Sequence, residues 1–152
     1  MDISFAGQTV LITGATRGIG AALADAFEAS GATLLLTGTD QAQCRDLTAA
    51  AASDGRDRRY MAVDFNAPAS FEEFLKEIEG LARLDVCVNN AGINRINALA
   101  DVTEADLDAM IAIDLRAPIL VTKAATAVMG RAGYGRVVNV GSVWNTVSKP
   151  KR

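Results

Sequence analysis

The chain has no histidine at all, and that absence removes more chemistry than any other feature of its composition. Ser-His-Asp and Cys-His nucleophilic catalysis both need an imidazole, and zinc sites seldom form without one. Chemistry in this protein must therefore come from hydroxyls, lysine, carboxylates or a bound cofactor. Cysteine is scarce: Cys44 falls in a predicted helix and Cys87 in a predicted buried strand, which makes both small hydrophobes in a reducing compartment and excludes a disulfide framework. No apolar run is long enough to span a bilayer, and the N-terminus has no basic stretch followed by a cleavage pattern. A net charge of -3 lacks the clustered cationic surface on which non-specific nucleic-acid binding depends. What remains is a soluble, cytoplasmic chain of 152 residues, half of them hydrophobic, enough for one domain with a substantial core.

One stretch organises the rest. Thr13 to Gly20 reads Thr-Gly-Ala-Thr-Arg-Gly-Ile-Gly; it follows an apolar run that predicts a buried strand and opens into a segment with helical spacing. A strand, a glycine turn and a helix in that order make a phosphate cradle. Gly14 serves where the chain turns sharply, Gly18 where backbone approaches a pyrophosphate, and Gly20 where the helix packs tightly. The N–H groups and positive dipole end of the helix then face the anion. The spacing is G-x-x-x-G-x-G, not the G-x-G-x-x-G of the common dinucleotide fingerprint, so the context of the octet carries the argument.

That context is a regular alternation of strands and helices. The pattern predicts strands at Thr9–Thr13, Thr33–Thr37, Tyr60–Val63, Val86–Asn89 and Arg136–Val140. Helices are predicted at Ile19–Ser30, Gln41–Ser53, Ser70–Leu81 and Glu104–Met129, the last broken near Ala117-Pro118. Ser70 with Glu73 has the form of a capping box, Thr103 with Asp106 a shorter-armed variant, and Asp40 is placed to cap the helix after strand two. Crossover helices between successive strands imply an α/β, doubly wound parallel sheet of Rossmann type, in the order 3-2-1-4-5, with ligands at the carboxyl ends of strands one and four. The Lys149-Pro-Lys-Arg152 tail reads as a loop.

Cofactor choice is decided where strand two ends, against the adenosine ribose. A carboxylate there accepts from a ribose 2'-OH and repels a 2'-phosphate; here the strand ends Thr37-Gly38-Thr39, and Arg17 brings a guanidinium fork to the same place. The pair favours NADP over NAD. Two other readings stand beside it: Arg17 as a solvated loop cation, and Asp40 reaching the ribose in place of capping. After strand three, Asp64 can accept from an adenine amino group with Phe65 or the backbone walling the base, or it is a carboxylate of no special role. Asn89-Asn90-Ala91-Gly92 after strand four suits side chains that tie strands together while backbone passes beneath a flat ring.

Taken together, Thr13-Gly-x-x-x-Gly-Ile-Gly20, Asp64, Asn89-Asn-Ala-Gly92 and the Val-Asn-Val-Gly-Ser ending at Ser142 resemble the short-chain dehydrogenase/reductase family, over about Gly7 to Ser148. The resemblance implies hydride transfer between a nicotinamide and a small-molecule ketone or secondary alcohol. It places Gly14, Arg17, Gly18, Ile19, Gly20, Thr39, Asp64, Phe65, Asn90, Ala91 and Gly92 at the cofactor, assigns no metal, and gives Ser142 a hydrogen bond to the substrate oxygen. The Arg17 and Thr39 pair is similar to that of NADPH-dependent 3-oxoacyl-carrier-protein reductases, and also occurs in sugar and polyol members. In the family the proton comes from a tyrosine about thirteen residues beyond the serine, its pKa lowered by a lysine roughly four further on. This sequence stops ten residues after Ser142, so neither is present, and no motif places Tyr60 or Tyr134 beside Ser142. Asp114 stands where the family usually has an asparagine that holds a proton-relay water.

The resemblance also implies further strands and a helix absent from this chain, which reads as a single NAD(P)-binding domain over residues 1–152, truncated after strand five. Strand five then becomes an exposed edge, and the Ala117–Met129 helix, which implies a homo-oligomer, has an uncovered apolar face. Trp144 either walls a substrate pocket or is a stranded core aromatic. The expectation is an NADP-dependent oxidoreductase represented by its cofactor-binding half and lacking turnover in this form; the alternative is a non-catalytic nucleotide-binding or interaction module. A methyltransferase-like domain is disfavoured by Asn89–Gly92 and Ser142.

Overall fold

The computed structural model describes residues 3–143; Trp144 and the basic tail from Lys149 lie outside the described residues. Five strands, β1 (Thr9–Ile12), β2 (Thr33–Gly38), β3 (Arg58–Ala62), β4 (Val86–Asn89) and β5 (Arg136–Asn139), form one parallel sheet in the order β3-β2-β1-β4-β5. The helices between them are α1 (Gly18–Ala29), α2 (Gln41–Ser53), α3 (Pro68–Glu79), α4 (Glu104–Met110) and α5 (Ala117–Ala132).

Side-chain alternation explains why the central strands are apolar on both faces. Val10, Ile12, Leu34, Leu36, Val86 and Val88 point to one side, where Ala24, Leu23 and Phe27 of α1 cover them. Leu11, Leu35 and Cys87 point to the other, onto Phe71, Phe74 and Ile78 of α3 and Val121, Ala125 and Val128 of α5. Cys44 and Cys87 are both buried free thiols, as their positions in the sequence predict.

The two edges differ. At β3, Thr48 of α2 accepts a hydrogen bond from the Tyr60 amide (2.9 Å), so a helix side chain covers part of the strand's open ladder. Among the described residues β5 pairs with β4 alone, and Val138 is 48 % exposed.

One local prediction needs correction. The third helix starts at Pro68, with Ala67 as N-cap, so Ser70 and Glu73 do not form a capping box. Pro68 wins because its fixed φ and missing N–H suit the first helical turn, and the Ser70 hydroxyl instead accepts from the Asp64 amide (3.1 Å). The long fourth helical segment is broken next to Ala117-Pro118 as expected, by a π-helical stretch, Ile111–Arg116, that ends where α5 begins. Pro118 has no N–H for the carbonyl four residues back, at Asp114, which weakens the α register there. Asp40 and Thr103 cap as predicted, accepting from the Gln43 and Asp106 amides.

Candidate functional site

The site is built at the carboxyl ends of β1 and β4. The Thr13 hydroxyl, buried as β1 ends, accepts from the amides of both Asn90 and Ala91, each at 3.0 Å. In return the Asn90 side-chain amide donates to the Thr13 and Gly14 carbonyls, at 2.9 and 3.0 Å. The Gly14 amide donates to the Thr37 hydroxyl at the end of β2 (3.0 Å). Three strand ends are thus tied around one glycine turn, and Asn90 acts as a brace of that turn as well as part of its wall.

Gly14 has φ +66°, and a Cβ there would come within 2.8 Å of Ala91 Cα. The positive φ and the close approach both require glycine. Gly18 has φ +59° with nothing near the place a Cβ would occupy, so its backbone faces open cleft. Gly20 is buried: a Cβ on it would overlap the Gly14 carbonyl oxygen and the Asn90 amide, so the third glycine lets α1 close down on the loop itself. At the N-terminus of α1, Arg17 is the N-cap but makes no side-chain cap, and the first turn holds no acid. The orphan N–H groups of this turn and its positive dipole end are left for an anion.

The cleft in front of this turn has a volume of about 710 Å³. Of the residues singled out from sequence, Gly14, Arg17, Gly18, Ile19, Thr39, Asp64, Phe65, Asn90, Ala91 and Gly92 line it, while Gly20 lies beneath. Thr16, inside the glycine motif, also lines it, as do Gln43, Ile93 and Arg95, which carry no motif that would have marked them. Asp40 lines it too, but its carboxylate is committed to the Gln43 amide at 2.9 Å. Arg17 is exposed and makes no ion pair among the described residues. Asp64 is exposed and folds back to accept from the Asn66 amide (2.9 Å). Phe65 is only 8 % exposed, its ring set edge-on against Phe71 and Phe74 in the core, so it supports the cleft from below. Under the β2–α2 turn, burial pushes the Cys44 thiol pKa up.

A second cleft, of about 890 Å³, adjoins the first across Ile19, Asn90, Ala91, Gly92 and Ile93. It runs over the carboxyl ends of β4 and β5, with Ser142 and Asp114 in its lining. Asn89, 6 % exposed, braces this region: its side-chain amide donates to Thr122 Oγ1 (3.0 Å) and Asn139 Oδ1 (2.8 Å), joining β4 to α5 and β5. Asp114 sits in the π-helical stretch, and its carboxylate accepts from the Ile93 amide at 2.9 Å. Tyr60 packs in the core beneath α1, and Tyr134 precedes β5, at the opposite end of that strand from Ser142.

The model of one family, short chain dehydrogenase, matches residues 8–151. The chain belongs to the short-chain dehydrogenases. This short-chain dehydrogenase is 32% identical over 147 residues to D-beta-hydroxybutyrate dehydrogenase of Cupriavidus necator, an alignment covering 96% of the chain and 57% of that relative. It is equally 32% identical, over 146 residues, to the 3-oxoacyl-(acyl-carrier-protein) reductase of Escherichia coli, covering 95% of the chain and 59% of the reductase. Among solved structures it superposes on a gluconate 5-dehydrogenase of Burkholderia cenocepacia in complex with NADP and tartrate, with TM-score 0.87, 26% identity, and coverage of 99% and 59%. A 3-oxoacyl (acyl-carrier-protein) reductase of Agrobacterium tumefaciens with NADP bound gives TM-score 0.85 at 27% identity, over 97% of the chain and 57% of that structure. The chain thus spans less than two thirds of the length of these relatives. No helix among its described residues is long and apolar enough to cross a membrane.

Proposed function

We propose that this chain is the cofactor-binding part of an NADP(H)-dependent oxidoreductase acting on a small-molecule ketone or secondary alcohol. The observation that carries the reading is the contrast between two side chains at one cleft: Arg17 stands beside the uncapped start of α1 with no ion pair, while the Asp40 carboxylate is spent on a helix cap. A cation open to a ribose phosphate, with the nearest carboxylate held by one oxygen in a helix cap, fits NADP better than NAD. The cradle fits the group as well, since the open backbone at Gly18 and the orphan N–H groups of α1 suit a pyrophosphate. Thr39 would join Arg17 at the phosphate, Asp64 would accept from the adenine amino group, and Asn90, Ala91 and Gly92 would form the floor under the rest.

When bound, such a cofactor gives or takes a hydride at its nicotinamide ring. Ile19, 65 % exposed where the two clefts meet, would pack against that flat ring. Ser142 would donate its hydroxyl to the substrate oxygen as charge develops there. Asp114, held by the Ile93 amide, would fix water nearby but has no amide hydrogen to give. Among the described residues neither tyrosine nor lysine lines these clefts. Leu115 and Ile119, 57 % and 58 % exposed, line the 890 Å³ cleft, and the exposed face of α5 that continues from Ile119 would serve a homo-oligomer.

Fluorescence titration with NADPH and NADH tests the cofactor reading. Arg17→Ala should weaken NADPH about 10- to 100-fold, the loss of a charge-assisted hydrogen bond of about 1.5–3 kcal/mol, and change NADH by less than about twofold. Asp40→Ala should cost about 1 kcal/mol of stability as a lost cap and leave the NADPH to NADH ratio unchanged. No NADPH binding by the unmodified chain, or an Arg17→Ala loss shared equally by both nucleotides, sinks the reading.

A further inference from the structure

Beyond the glycine turn, the chain leaves β4, makes a short helical turn at Leu99–Asp101 and enters α4. Together with Met110 at the end of α4, this connection encloses a cleft of about 830 Å³, within the range of about 300–1,000 Å³ usual for small-molecule sites. Its wall is apolar. Ile96 is 55 %, Leu99 91 % and Val102 37 % exposed, and all three line this one concavity. A single exposed leucine needs no explanation, but several that converge on one hollow are a surface that an apolar ligand would cover.

Ser142 and Asp114 line both this cleft and the one over β4 and β5, so they stand at the boundary between the two. The Ile93 amide fixes the Asp114 carboxylate there. It is the only ionisable side chain lining the 890 Å³ cleft among the described residues. In the apolar cleft the other charged side chain is Arg95, and its guanidinium is drawn to Asp106 at 3.7 Å. Asp106 is itself held by the Thr103 hydroxyl at 2.8 Å and the Asn97 amide at 3.3 Å. Arg95 thus has an acidic partner, whereas Asp114, which lines the same cleft as Ser142, makes no ion pair among the described residues.

We infer that this cleft takes a bulky apolar ketone or alcohol with no anionic group next to its reacting oxygen. The inference rests on the proposal that Ser142 marks the reacting oxygen. A carboxylate on the substrate carbon beside that oxygen would share the partly desolvated cleft with the Asp114 carboxylate, where like-charge repulsion lowers affinity by about tenfold. The apolar remainder gains by covering Leu99, Ile96 and Val102.

Benzylacetone and benzylpyruvate test this cleanly, because they share a skeleton and differ by a methyl in place of a carboxylate on the ketone carbon. Equilibrium dialysis of the chain against each, with and without NADPH, should show benzylacetone bound at least about tenfold more tightly. Asp114→Asn should bring the two within about threefold of each other. Leu99→Asn, at an exposed position whose change leaves the urea midpoint unmoved, should weaken benzylacetone by about fivefold. Benzylpyruvate bound as well as benzylacetone, no binding of either, or a preference that neither substitution moves would overturn the inference. Failure of NADPH to bind sinks the cofactor reading alone, since dialysis without NADPH still ranks the two ketones; NADPH binding without the ranking sinks the present inference alone.

Discussion

Alanine at Gly18 and alanine at Gly20 are the same chemical change two residues apart, and the structure sets very different results for them. At Gly18 a methyl group enters open space, so the cost is that of holding an L-residue at φ +59°, about 1–2 kcal/mol. Part of that is returned because alanine has fewer unfolded conformations to lose, by about 0.4–1 kcal/mol, leaving a net loss of about 1 kcal/mol. At Gly20 the backbone is not in the left-handed region, but the methyl group would overlap the Gly14 carbonyl oxygen and lie 2.6 Å from Asn90 Nδ2 and 2.9 Å from Ala15 Cα. Two of these neighbours are backbone, and the third, the Asn90 amide end, is held by two hydrogen bonds. Overpacking of this kind costs about 1–3 kcal/mol. Moving Asn90 aside also breaks its hydrogen bonds to the Thr13 and Gly14 carbonyls, at about 1 kcal/mol each. Gly20→Ala should therefore lose about 3–5 kcal/mol, a large part of the 5–15 kcal/mol typical of a domain. Urea unfolding of both variants at constant m-value measures the difference. NADPH titration should show Gly18→Ala folded but weakened in binding, since its methyl group enters the cleft. Equal destabilisation of the two, or a larger loss at Gly18, would refute this account of the turn.

Two further outcomes follow from charge and burial away from the turn. Burial opposes ionisation of Glu28, but hydrogen bonds from Arg56 and Arg58 outweigh it and hold its carboxyl below the ordinary 4.5. Its stabilisation is therefore full above that pH and fades as pH falls through the lowered value. Glu28→Gln should cost about 1–3 kcal/mol at pH 7, because the nearly buried Arg58 loses its main partner, and the gap to the unmodified chain in urea should narrow as the pH falls below the ordinary carboxylate range. Burial pushes the Cys87 thiol up to about 12, so in native protein it should resist maleimide at pH 8 and react only on the timescale of unfolding. Fast labelling of Cys87 in native protein would contradict its place between the sheet and α5.

The sheet order and the glycine turn were legible because each rests on local chemistry repeated along the chain: apolar strands flanked by helices with 3.6-residue spacing, and three glycines at a strand-to-helix junction. Asp40 and Thr103 announced their helices through hydroxyl or carboxylate at the cap. Ser70 misled because a proline two residues earlier is the stronger start signal, and the π-helical stretch at Ile111–Arg116 has no residue pattern of its own. Long-range partners were harder to read. That the Thr13 hydroxyl serves two amides near residue 90, that Phe65 turns into the core, and that Ile96, Leu99 and Met110 share a wall with Asp114 all depend on how loops pass one another in space.

β1 lies at the centre of the sheet, and this has a consequence for the order in which a ribosome delivers the fold. The first strand made must wait for a neighbour on one side that is made far later: Asp85, whose carboxylate receives the Thr9 amide as β4 begins, trails it by 76 residues. At about 5–20 residues per second that interval is on the order of 4–15 s. During it the face of β1 that will meet β4 has only β2 and α1 for company, so the nascent chain holds a half-built sheet whose hydrophobic centre is its newest exposed edge.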